Sequence, residues 1–61
     1  MNYEEFKDII KKVLLENKDG LTWGQIRKKR NLPQKVPNNK WVAQLKKDIK
    51  LKRDTVTIWR I

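Results

Sequence analysis

Pro37–Lys50, PNNKWVAQLKKDIK, is the stretch whose reading decides the fold. Wound at about 3.6 residues per turn, it gathers Val42, Leu45 and Ile49 on one side and Lys40, Ala43, Gln44 and Lys47 on the other. One face suits a core and the other an acidic partner. Lys and Gln reach outward while the small Ala43 between them lets the helix axis approach, so the outer face can enter a nucleic-acid groove.

Immediately before it, Leu32–Pro37, LPQKVP, holds both prolines of the chain and reads as a loop of fixed shape. Pro37 suits a helical first turn, and Asn38 offers a cap one residue later. Further back, Thr22-Trp23-Gly24-Gln25 has the spacing of a capping box, which predicts a second helix over about 22–30. It would bury Trp23 and Ile26, expose Arg27, Lys28 and Lys29, and stop at a left-handed Asn31. Gly24 lowers helix propensity by about 1 kcal/mol, so either a neighbour approaches closely there or that helix is marginal. At the N-terminal end, Phe6, Ile9, Ile10, Val13 and Leu14 recur at helical steps among charged residues. This predicts an amphipathic helix over 3–16, capped by Asn2 and ended by Gly20.

On the other side of the deciding stretch, the third helix, about 38–49, gives way to KLKRDTVTIWRI. Its β-branched and aromatic residues around a polar Arg53-Asp54-Thr55 predict a hairpin over about 50–61, with Leu51–Arg53 pairing with Thr55–Ile61. Both faces of the longer strand carry apolar residues, so periodicity leaves open which is buried.

The 61 residues make one domain with a small core. The chain has no Cys and no His, and also no Ser, which removes disulfides, the usual zinc ligands, the imidazole base and the common nucleophiles together. An enzyme is not expected, and neither is a cofactor or metal. Sixteen Lys plus Arg against seven Asp plus Glu give a formal charge of +9. Residues 1–20 hold four Lys and five acids, whereas residues 21–61 hold twelve Lys plus Arg and two acids. Such asymmetry is expected of an electrostatic footprint for phosphates. No apolar run approaches the roughly 18 residues of a membrane span, and Met1 leads directly into the amphipathic pattern. The expectation is a cytoplasmic protein with no membrane partner, monomeric by default with a homodimer as the alternative.

Three helices followed by a terminal hairpin, the third helix basic outside and apolar inside, resemble the winged helix-turn-helix family across almost the whole chain. Leu32, Val42 and Leu45 look like that family's spacing from the positioning helix into the recognition helix, and Leu21 sits where the family often has a short strand. The chain departs from the family in the turn before the third helix, where Pro33 and Pro37 replace the more usual Gly and hydroxyl residues. The resemblance implies an α+β fold with a C-terminal β-hairpin wing and non-catalytic binding of duplex DNA, as a small transcription regulator or general chromosomal binder. On that placement Asn38, Asn39, Lys40, Gln44 and Lys47 face the DNA, with Lys52 and Arg53 at the hairpin turn and Lys35 in the preceding loop reaching phosphates.

Each of these residues also has a plainer reading. Lys40, Gln44 and Lys47 can be a solvated face, Asn38 a helix cap, and Lys52 and Arg53 charges that keep an edge strand from pairing. The run Arg27–Arg30 either touches phosphates or only solubilises. Three tryptophans admit a rival function, RNA or single-strand binding by stacking, which would centre on Trp59. Trp23 and Trp41 are expected beside Phe6, Ile10 and Leu45 in the core. A second rival is a protein-docking module meeting an acidic partner.

Overall fold

The computed structural model describes residues 1–54 and 57–61. Its first helix, α1, spans Tyr3–Glu16, and the Asn2 side chain accepts the Glu5 amide at 2.9 Å to satisfy one of the unpaired donors of the first turn. Phe6, Ile10, Val13 and Leu14 are buried and Ile9 is half-buried, so the helical periodicity marks the inward face. At the other end Asn17 donates from Nδ2 to the Val13 carbonyl at 2.8 Å, and the chain turns through Gly20. Gly20 has φ +97°, and a Cβ there would lie 2.6 Å from Ile58 Cγ2 and 2.7 Å from Arg60 Cγ. Glycine is required twice over, by the turn and by the close approach of the sheet.

Leu21–Thr22 form the short strand β1, and α2 follows over Trp23–Arg30. The capping box is complete: Thr22 Oγ1 accepts the Gln25 amide and Gln25 Oε1 accepts the Thr22 amide. Asn31 closes the helix in the left-handed region at φ 53°, and the Leu32 amide returns to the Arg27 carbonyl at 3.0 Å. Nothing presses on Gly24, since the nearest atom to a Cβ there would be Thr22 Oγ1 at 3.9 Å. Of the two readings of that residue, close approach is therefore removed and a weak helix position remains.

The third helix, α3, spans Asn39–Asp48. Of the two starts the sequence offers, the helix takes the later one. Pro37 lies outside the first turn, because Asn38 takes the cap position and its Oδ1 accepts the amides of Lys40 and Trp41 at 2.9 and 3.2 Å. Lys50, at φ 57°, reverses the chain, and Leu51 donates back to the Leu45 carbonyl at 3.3 Å.

Strand β2 is Lys52–Asp54 and β3 is Ile58–Arg60, which corrects the expected limits by placing Asp54 inside the strand opposite Ile58. The expected long strand from Thr55 begins with Thr55 and Val56, which lie outside the described residues. The sheet is antiparallel in the order β1-β3-β2, with Leu21 and Arg53 both opposite Trp59. Leu21 thus supplies the third strand. Trp59, on the central strand, is the bulkiest fully buried side chain, at 1 % exposure. Its face of β3 is the one turned inward, and the open choice of hairpin face is settled by this residue. The fold is α+β; among the described residues it has three helices and a three-stranded antiparallel sheet around one apolar cluster.

Candidate nucleic-acid interface

The candidate interface begins with the face of α3 turned away from the core. Val42 and Leu45 are buried and anchor the helix, while Asn39, Lys40, Ala43, Gln44 and Lys47 are exposed. The binary pattern forces this arrangement, since rotating the helix would expose the two buried residues and bury lysines without partners. Among the described residues, Lys40, Lys46 and Lys47 form no ion pair; the salt bridges join Lys7 to Glu4, Arg30 to Glu16, and Arg60 to Asp54. These pairs take up acids elsewhere and leave the three lysines of α3 facing one acid of their own helix, Asp48. Asn38 is exposed, but its oxygen is committed to the cap, so only its amide nitrogen remains to contact anything else.

Lys35 lies in the loop before α3. Its carbonyl accepts the Trp23 indole hydrogen at 3.1 Å, which pins that loop to α2 and satisfies the ring nitrogen of a half-buried tryptophan. Lys52 and Arg53 do not sit at a hairpin turn. They lie within β2, every residue of which is exposed, and the Arg53 guanidinium lies 5.5 Å from the Trp59 ring centroid. The structure therefore brings Asn38, Asn39, Lys40, Gln44 and Lys47 onto one helix and sets Lys52 and Arg53 apart on an edge strand.

A chain of rings joins the two groups through the core. Trp59 stacks on Trp23 at 5.2 Å, Trp23 meets Phe6 at 6.1 Å, Phe6 meets Trp41 at 5.0 Å, and Trp41 meets Tyr3 at 6.0 Å. Trp23 and Trp41 take the expected places against Phe6, each half-buried. The run after Ile26 divides. Arg30 pairs with Glu16 and ties α2 to α1, Arg27 is half-buried with an unpartnered Nε, and Lys28 and Lys29 are exposed.

Sequence reasoning passed over Asp48. Its carboxylate accepts the Tyr3 hydroxyl at 2.8 Å and the Gln44 Nε2 hydrogen at 3.1 Å. The Tyr3 hydrogen bond, joined by that of Gln44 and by the nearby Lys7 and Lys47, holds the Asp48 carboxyl below its ordinary value. Burial, then the bond to Asp48, pushes the Tyr3 phenol up to about 12. The four-residue step from Gln44 to Asp48 was visible as a same-face pair. Tyr3 and Asp48 stand 45 residues apart, and no local pattern joins them.

Among the described residues no helix is long and apolar enough to cross a membrane, and no three His, Cys, Asp or Glu are grouped to hold a metal ion. Set against family models, curated proteins and solved structures, the chain gives no significant match to any of them.

Proposed function

We propose that this chain is a non-catalytic, duplex-DNA-binding module of the winged helix-turn-helix kind, with α3 as its recognition helix and the β2–β3 hairpin as its wing. The observation that carries the reading is the exposed set Lys40, Ala43, Gln44 and Lys47 on a helix anchored by buried Val42 and Leu45. Such a face offers phosphates an unpaired positive charge, and base edges an amide that both donates and accepts. The order of three helices and a hairpin, with Leu21 pairing against β3, supports the same reading. Its setting would be the cytoplasm, as a regulator or a general chromosomal binder.

The single-strand alternative loses its main support. Trp59, the ring on which bases would stack, is 1 % exposed. Phosphate neutralisation would dominate affinity. With about five phosphates neutralised at roughly −0.9 each, log K against log salt should fall with a slope near −4.5. Fluorescence anisotropy on a labelled duplex across a salt series reads this slope. A flat dependence, or no binding at low salt, would contradict the proposal, and tighter binding to single strands or structured RNA would redirect it.

A further inference from the structure

An acid on the outward side of α3 needs a reason. Asp48 occupies the last turn of the helix, where the exposed carbonyls already make a negative end, and it lies beside the lysines meant to attract phosphate. For a helix that only neutralises phosphates, a carboxylate there is a cost. The hydrogen bonds show what it does instead. A carboxylate can only accept, so the Gln44 group facing it must be the amide nitrogen, which fixes which way the Gln44 amide points. Tyr3, anchored against Trp41 from α1, donates to the other carboxylate oxygen and holds the acid in place.

Gln44 keeps a second Nε2 hydrogen and its Oε1, neither with another partner among the described residues. That pair matches the N7 acceptor and N6 donor of adenine in the major groove. We infer that Asp48 is a positioning residue which, through Gln44, makes this face discriminate among duplex sequences in favour of an adenine in the major groove. The inference rests on the duplex-binding reading and goes further, since it assigns selective rather than general binding. A purely architectural role for Asp48, docking α1 on α3 through Tyr3, would leave base preference untouched, and this separates the two.

The test is selection from a pool of duplexes with randomised central base pairs, using the full chain and its Gln44→Ala, Asp48→Ala and Tyr3→Phe variants, with thermal unfolding to show that each is folded. The wild type should enrich one adenine position, favouring it by about 5- to 150-fold, the range a bidentate amide contact gives. Gln44→Ala should erase the preference at that position. Asp48→Ala should weaken it there while tightening binding to every duplex, because a negative charge has gone. Tyr3→Phe keeps the carboxylate and should blur the preference less. Should Asp48→Ala fail to fold, Asp48→Asn takes its place: its own amide can donate to Gln44, turn that amide over and move the preference away from adenine.

An unenriched pool from a wild type that still binds duplex would overturn this inference and leave the binding function standing. An Asp48 variant with full preference would overturn it as well. Absence of any duplex binding at low salt would remove the function and the inference together.

Discussion

α1 and α3 are built from similar residues and do opposite work. α1 spans 14 residues and buries four; its three lysines face four acids, so its surface charge nearly cancels. α3 spans 10 residues and buries two, and its three lysines face Asp48 alone, an acid already engaged by Tyr3 and Gln44. Among the described residues α1 gives four of the eleven buried core side chains, the largest share of any element, whereas α3 gives two and leaves most of its polar surface on display. The difference teaches where to expect stability and where to expect binding, and the two should separate on substitution.

The largest effect belongs to the mount. Ile10, fully buried on α1, should cost about 2–5 kcal/mol when changed to Ala. In a chain this small that is most of the folding free energy, and urea denaturation should find Ile10→Ala largely unfolded. A loss below about 1 kcal/mol would mean that α1 is not the main source of the core.

Next comes the display. Lys40→Ala with Lys47→Ala should shift stability by no more than about 0.5 kcal/mol. The same pair should flatten the salt dependence of duplex binding by about 1.8, two contacts at roughly 0.9 each. Lys11→Ala with Lys12→Ala on α1 is the matched control and should leave the slope where it was. Equal slopes for the two double variants would break the contrast between the helices.

A smaller effect is expected where α1 hands over to the sheet. Gly20→Ala meets both a positive φ and the Ile58 methyl, and should cost about 1–3 kcal/mol in thermal or chemical unfolding. Duplex affinity of the folded fraction should stay unchanged.

The smallest effect lies on the seam between the two helices. The chain has a single tyrosine, so tyrosinate absorbance reports Tyr3 alone. Its phenol should ionise near pH 12 instead of 10.0, and Asp48→Asn should move the midpoint back towards 10.0. Because the folded value is raised, the stabilisation is complete below pH 10.0 and is lost as pH rises through about 12. Asp48 has a folded value below 3.8, so its share is present above that pH and lost as pH falls through the folded value. A wild-type midpoint at 10.0 would show the Tyr3–Asp48 bond to be absent in solution.

Much of this arrangement was legible in the residues because its causes are local. The periodicity of Phe6 to Leu14, the Thr22–Gln25 box, the left-handed Asn31 and the two faces of α3 each depend on neighbours within one or two turns, and the structure has them all. What escaped depends on partners far along the chain or on unusual backbone. Lys50 turns in the left-handed region without the Gly or Asn that would announce it. The depth of Trp59 is fixed by β1 and α2, which its own strand, apolar on both faces, does not reveal. Lys52 and Arg53 moved from turn to strand because Asp54, a residue disfavoured in sheets, pairs with Ile58 and ties its side chain to Arg60 at 2.6 Å. The candidate site was visible as a face, but not the acid that orients Gln44.

Backbone chemical-shift mapping during titration with duplex DNA tests the central claim most directly. The largest perturbations should fall on Asn39, Lys40, Ala43, Gln44 and Lys47, with weaker ones at Lys35, Lys52 and Arg53, while the outward residues of α1 stay still. Perturbations centred on Lys11 and Lys12, or spread evenly over the surface, would contradict it.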